Sequence, residues 1–207
     1  HDVVHALSRS GAAVENAEMS TIDILDEDSI AAAADGVGAC DVVIVATGLL
    51  HDGEYGPEKS MRALDRDDLA RAFALNAIGP ALVAKHFLKR LPKEGRSTFA
   101  ALSARVGSIS DNGLGGWYGY RASKAALNQL IRTLAIELAR QKPEAICVGL
   151  HPGTVDTGLS EPFQSNVPEG KLFTPAYSAE KMLSVVDGLT PNDTGKLFAW
   201  DGEEIAP

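Results

Sequence analysis

The chain has 207 residues, 45% of them hydrophobic, which is enough to bury a substantial core as one domain over residues 1–207. A net charge of −9 argues against nucleic acid or an anionic membrane surface as partner. No apolar run approaches the roughly 18 residues of a membrane span, so a cytoplasmic protein without a membrane partner is expected. Cys40 and Cys147 lie in or beside apolar runs without metal-ligand spacing, which suits buried thiols in a reducing compartment.

In chain order, residues 3–7 (VVHAL) are strand-like, and Ser8-Arg9-Ser10-Gly11 closes them as a turn. Residues 21–25 (TIDIL) are a second short strand. A helix follows with Asp26 as N-cap and acids in its first turn. Residues 41–47 (DVVIVAT) are nearly all apolar, as in a strand covered on both faces. The charged pair Glu58–Lys59 and the run Asp65–Asp68 look like solvated surface. Residues 66–90 are helical, with a break expected at Gly79-Pro80.

Residues 97–103 (STFAALS) are a strand leading into a Gly- and Ser-rich loop. Leu127, Leu130, Ile131, Leu134 and Leu138 then mark one face of a helix that ends before Pro143. Residues 145–150 (AICVGL) are a strand running into His151-Pro152-Gly153. A helix N-capped by Ser178 follows, and then a last strand at 195–200. Strands alternating with helices predict right-handed crossovers: an α/β, Rossmann-like, doubly wound parallel sheet flanked by helices.

The chemistry-bearing pair is Tyr120 and Lys124, one helical turn apart on the same face. An ammonium near a phenol favours phenolate and lowers a pKa that starts near 10. That prepares a tyrosine to exchange a proton with a carbonyl or alcohol oxygen. No zinc motif, nucleophile elbow or Walker lysine accompanies it, and no metal is expected. His51, His86 and His151 are scattered, as surface or supporting residues would be.

The segment YRASKAALNQL, with Ser123 before the lysine, resembles the Tyr-x-x-x-Lys helix of the short-chain dehydrogenase/reductase family. LNAIGP (75–80) is similar to its Asn-x-x-Gly segment, and HPGTVDTGL (151–159) to its Pro-Gly segment after the sixth strand. Residues 103–112 and 115–128 look closest to the C-factor-like and carbonyl-reductase-like branch. The resemblance implies hydride transfer between a nicotinamide and a small carbonyl or alcohol, with Tyr120 as general acid/base. It implies that Lys124 lowers the tyrosine pKa and binds the nicotinamide ribose, and that Asn76 orders a water behind the lysine. Pro152, Gly153, Val155 and Thr157 would meet the nicotinamide, Gly48 would let the cofactor approach, and Asp23 and Ile24 would adjoin the adenine. The tip of the family's second strand is Ser8-Arg9-Ser10, without the acid that bonds the ribose of NAD, so NADP(H) is favoured over NAD(H).

Three departures accompany the likeness. Where the family writes Ser-Ser-x-x-Gly, this chain has Ser103-Ala104-Arg105-Val106-Gly107. Either Ser103 or Ser108 then takes the hydroxyl's role, Ser103 being preferred, or the donor is absent. Val45-Ala46-Thr47-Gly48 replaces Asn-Asn-Ala-Gly. The third departure is that the family's first strand and glycine-rich turn precede residue 1, so the chain is expected to be N-terminally truncated, beginning at the family's second strand. Direct pairing of residues 3–7 with 42–46, in a six-stranded sheet, is expected to close the gap. The alternative reading is a cofactor-impaired, non-catalytic remnant that keeps the family's dimer surface on helices 66–90 and 120–140. A homodimer or homotetramer suits either reading.

Overall fold

Two short strands, β1 (His5–Ser8) and β2 (Glu18–Thr21), pair in parallel, His5 opposite Glu18. In the computed structural model, which describes residues 3–53 and 55–207, these two form a sheet of their own. The main sheet comprises β3 (Val42–Val45), β4 (Ser97–Leu102), β5 (Ala145–His151), β8 (Leu197–Ala199) and β9 (Glu204–Ile205), in that spatial order. β3, β4, β5 and β8 run parallel, and β9 returns antiparallel to β8. A small parallel pair, β6 (Thr154–Val155) with β7 (Leu172–Phe173), sits beyond β5.

β4 and β5 are covered on both faces because helices pack on each side. Phe99, Ala101 and Cys147 face α1 (Glu27–Val37), α3 (Gly79–Phe87) and α4 (Tyr118–Gln141) through Ile30, Val83, Phe87, Leu127 and Ile131. The alternate residues Ala100, Ile146, Val148 and Leu150 pack with Val186, at the end of α5 (Pro175–Gly188), and with Leu189 and Phe198. The period of two that a strand imposes thus divides the core into two layers. Among the described residues no helix is long and apolar enough to cross a membrane.

The expected pairing of residues 3–7 with 42–46 is absent: β1 bonds β2, and β3 bonds only β4. Ile24 and α1 hold the β2 segment, and β1 paired with it, against α3. A Cβ at Gly79 would lie 2.9 Å from Ile24 Cδ1, so the end of the β2 segment is seated directly on α3. Glu27 of α1 also binds Lys85 and His86 of α3, and Asp35 binds Arg90. Moving β1 against β3 would undo these contacts. Val42 and Ile44 are accordingly exposed despite their apolar character.

Three boundaries differ from expectation. The second strand is Glu18–Thr21 rather than 21–25, because Asp23 turns the chain by accepting the Leu25 N–H at 2.9 Å. The helix over 66–90 is divided into α2 (Arg66–Phe73), a π turn (Ala74–Ile78) and α3, so its irregularity precedes Gly79-Pro80. Thr174, not Ser178, caps α5, and the buried Ser178 hydroxyl donates to the Pro152 carbonyl at 2.8 Å. Asp26 caps α1 as read from the sequence, accepting from the Asp28 N–H.

Phe99 lies 1% exposed where β4 meets three helices. Phe99→Ala should lower stability by about 3–5 kcal/mol in urea unfolding, through lost burial and an unfilled cavity. A loss below about 1 kcal/mol would show that the site collapses without cost.

Candidate active site

The C-terminal ends of parallel strands in an open α/β sheet are where ligands bind. Gly48 after β3, Ser103 after β4 and Pro152 after β5 all lie at that edge. α4 brings Tyr120 and Lys124 to it, 7% and 2% exposed. The turn Arg105–Gly107 is pressed on the backbone of α4. A Cβ at Gly107 would stand 2.8 Å from Lys124 Cβ, so only glycine permits this approach.

Lys124 Nζ donates to the Leu102 carbonyl at 2.8 Å and lies 5.8 Å from the centroid of the Tyr120 ring. Burial pushes the ammonium pKa down to about 8, and burial with Tyr55 nearby pushes the Tyr120 phenol up to about 12. The expectation that Lys124 would depress the phenol is therefore outweighed here by desolvation. Leu50, Ala104, Val106, Trp117 and Phe163 surround Tyr120 with apolar atoms. Charged forms of both side chains are disfavoured in such a setting.

Asn76 is fully buried within the π turn. Its Oδ1 accepts the Leu49 N–H at 2.7 Å, and its Nδ2 donates to the Leu49 carbonyl at 2.9 Å and to Ser123 Oγ at 3.0 Å. Ser123 Oγ in turn donates to the Tyr120 carbonyl at 2.9 Å. One amide thus links the segment after β3 to the turn of α4 that carries Tyr120 and Lys124. A Cβ at Gly48 would come 3.6 Å from Lys124 Nζ and 3.7 Å from Asn76 Oδ1, so Tyr120, Lys124, Asn76 and Gly48 are one cluster.

The two candidate serines lie elsewhere. Ser103 Oγ donates to Asn128 Oδ1 at 2.6 Å, and Ser108 Oγ accepts the Asp111 N–H at 3.1 Å. Ala104 is the residue that packs on Tyr120. The structure does not bring the preferred Ser103 hydroxyl into the cluster, because its proton is used inside the fold.

Ser8, Arg9 and Ser10 form an exposed turn at the end of β1, with Ser8 Oγ accepting the Gly11 N–H at 3.1 Å. Asp23 stands half-buried nearby in sequence, whereas the Ile24 side chain belongs to the main core. Gly153 takes φ 77°, and a Cβ there would strike the Phe173 ring at 2.6 Å. Val155 pairs with Phe173 in the β6–β7 ladder, and Thr157 is exposed. Cys40 and Cys147 are free thiols, half-buried and buried. The described residues hold no cluster of His, Cys, Asp or Glu suited to a metal.

Sequence reasoning missed Glu58 and Trp117. Glu58 reads as surface beside Lys59, yet it is 4% exposed and accepts the Gly119 N–H at the start of α4. Its signal was weak, since a lone acid in a loop carries no periodicity. Trp117 precedes α4 with its ring centroid 6.2 Å from that of Tyr120.

A family model described as Enoyl-(Acyl carrier protein) reductase matches residues 2–200. The chain therefore belongs to the short-chain dehydrogenase/reductase family of oxidoreductases. It is 38% identical to the C-signal protein of Myxococcus xanthus over 143 residues, which is 69% of this chain and 80% of that protein. It is 30% identical to the 1-hydroxy-2-glutathionyl-2-methyl-3-butene dehydrogenase of Rhodococcus sp. (strain AD45) over 208 residues, 97% of this chain and 86% of that one. Among solved structures it is similar to the NADPH-bound carbonyl reductase from chicken fatty liver. The TM-score there is 0.84 at 25% identity, covering 99% of this chain and 84% of the other.

His151 ends β5 with Nδ1 buried and unpartnered. Burial, aided by Arg105, pushes its pKa from the ordinary 6.5 down to about 4. The unfolded chain thus binds a proton between these values that the folded chain does not. Stability should fall as pH drops from about 6.5 to about 4, by roughly 3 kcal/mol from this residue. His151→Gln should remove that slope when ΔG of unfolding is measured against pH; an unchanged slope would contradict the assignment.

Proposed function

We propose that the chain is an oxidoreductase moving hydride between NADP(H) and a small carbonyl or alcohol, with Tyr120 as general acid/base. The buried juxtaposition of Tyr120 and Lys124 at the ligand-binding edge of the sheet carries this reading. The NADPH in the chicken carbonyl reductase supports it.

The residues present fit the cofactor's nicotinamide half and its 2′-phosphate. Lys124 spends one N–H on Leu102, leaving donors for ribose hydroxyls, and the missing Cβ of Gly48 leaves a ledge beside them. Pro152, Gly153, Val155 and Thr157, on the segment after β5, would meet the carboxamide. Arg9, in an exposed turn with no acid, suits a 2′-phosphate, and Asp23 suits the adenine amino group. When bound, the nicotinamide supplies or accepts the hydride.

Tyr120 supplies the proton. Burial holds the Tyr120 phenol protonated at neutral pH, so it carries the proton that carbonyl reduction consumes. As negative charge develops on the carbonyl oxygen, Tyr120 donates its proton. The Lys124 ammonium then stabilises the phenolate, while the Asn76 amide, bonded to Leu49 and Ser123, steadies the turn that carries both side chains. With Ala104 in place of a hydroxyl, the oxygen receives one donor where relatives supply two. Losing such a donor costs about 10²–10³ in rate, so slow turnover of simple ketones follows.

A second reading is favoured by Ala104, which stands where a hydroxyl is expected: a cofactor-impaired remnant retaining the family's dimer surface. NADPH titration followed by fluorescence separates the two. The enzyme reading gives saturable binding, with Kd of about tens of micromolar or weaker for the 207-residue chain. Absence of saturable binding would favour the remnant.

Tyr120→Phe should keep NADPH binding and lower turnover about 10²–10⁴-fold, because the ring still packs but no proton is delivered. Retention of more than a tenth of the activity would remove Tyr120 from its role. Arg9→Ala should weaken NADPH by about 1.5–3 kcal/mol, the worth of a charged hydrogen bond, with little change for NADH. Equal losses for both cofactors would refute Arg9 as the 2′-phosphate ligand.

A further inference from the structure

Glu58 is a buried carboxylate that the proton chemistry above does not use. It holds the start of α4 at two points. Its Oε2 accepts the Gly119 N–H at 3.0 Å, and its backbone carbonyl accepts the Trp117 N–H at 2.6 Å. α4 has no acidic residue in its first turn and no side-chain cap of its own. The negative charge that a helix N-terminus favours therefore comes from a different segment of the chain. A Cβ at Gly119 would lie 2.8 Å from Glu58 Oε1 and 3.4 Å from the Tyr55 hydroxyl, so the carboxylate is seated on bare helix backbone.

The turn that Glu58 holds is strained. Gly115, Gly116 and Trp117 take φ of 64°, 66° and 52°, three left-handed residues in succession. Two glycines adopt that conformation freely, but an L-residue with a bulky side chain does so at a cost. Glu58 Oε1 and the Tyr55 hydroxyl are both buried without a partner, which is a second cost borne at the same place. What the turn achieves is the placement of the Trp117 indole. It stands edge-on to Tyr120 with centroids 6.2 Å apart and packs on Phe163 at 5.0 Å; Phe163 in turn meets His51 at 5.8 Å.

We propose that Glu58 is a positioning residue that holds the left-handed turn Gly115–Trp117 and so sets Trp117 as a specificity wall beside Tyr120. The wall favours carbonyl substrates carrying an apolar, flat substituent over short aliphatic ones, since Trp117, Phe163, Leu50 and Val106 offer apolar surface there. The substrate half of this inference rests on the oxidoreductase reading; the hold on the turn does not.

The chain has two tryptophans, so Trp200→Phe makes Trp117 the sole indole. In that background, Glu58→Ala and Glu58→Gln are compared with the parent by acrylamide quenching of Trp117. They are also compared by KM and kcat for an aromatic and a short aliphatic aldehyde with NADPH. Glu58→Ala should raise the quenching constant severalfold. It should also raise KM for the aromatic aldehyde about tenfold, the scale of a lost apolar contact, while KM for the aliphatic one stays within about twofold. Glu58→Gln keeps an oxygen acceptor for the Gly119 N–H and should restore both readings. If Glu58→Ala does not fold, Trp117→Asn serves for the kinetic arm, because Asn tolerates the left-handed region; it should show the same selective rise in KM. Unchanged quenching in folded Glu58→Ala, or equal KM changes for both aldehydes, would overturn the proposal. If the parent reduces neither aldehyde while quenching still responds to Glu58, the oxidoreductase reading fails and the hold on the turn stands.

Discussion

The site depends on one buried amide. Asn76 occupies a π turn between α2 and α3, where the widened helix directs its side chain to the Leu49 backbone and to Ser123. Three parts of the chain far apart in sequence thereby meet at one residue: the segment leaving β3, the helix pair α2–α3 and the first turns of α4. Removing the amide would leave the Leu49 N–H and carbonyl unpaired in the interior, at about 1–3 kcal/mol each. π turns are costly and cluster at functional positions, and this one exists to aim Asn76.

Around that amide, burial governs the electrostatics. Tyr120 and Lys124 sit in apolar surroundings, and both are driven toward their neutral forms. In water a lysine beside a tyrosine would mainly promote phenolate; here desolvation is the larger effect. In the same apolar shell Ala104, which carries no hydroxyl, packs with Tyr120. On the proposed reading, specificity and proton delivery both fall to α4 and to the turn that precedes it.

Much of the fold was legible because strand and helix periods are local. The runs at 97–103 and 145–150 are apolar since both their faces are covered, and β4 and β5 appear there. The apolar stripe of α4 identified its buried face through Leu127, Ile131 and Leu138. The juxtaposition of Tyr120 and Lys124 was legible because i and i+4 share a helix face, and both side chains are buried there. What escaped the sequence depends on distant partners. β1 bonds β2 and not β3, while Ile24 sits on Gly79 and Glu27 of α1 pairs with Lys85 and His86 of α3. Glu58 looks like surface until the Gly119 N–H is found above it. The role given to Ser103 failed to account for Asn128, one turn beyond Lys124, which takes its hydroxyl.

The central claim is hydride transfer with proton delivery from Tyr120. It is tested most directly by incubating the chain at saturating concentration with NADPH carrying deuterium at the transferable C4 position and an aromatic aldehyde, then analysing the product by mass spectrometry. The account predicts one deuterium on the carbinol carbon, with its appearance slowed in the Tyr120→Phe variant. Bound NADPH with no deuterium in the product, or transfer at the same rate in the variant, would contradict it.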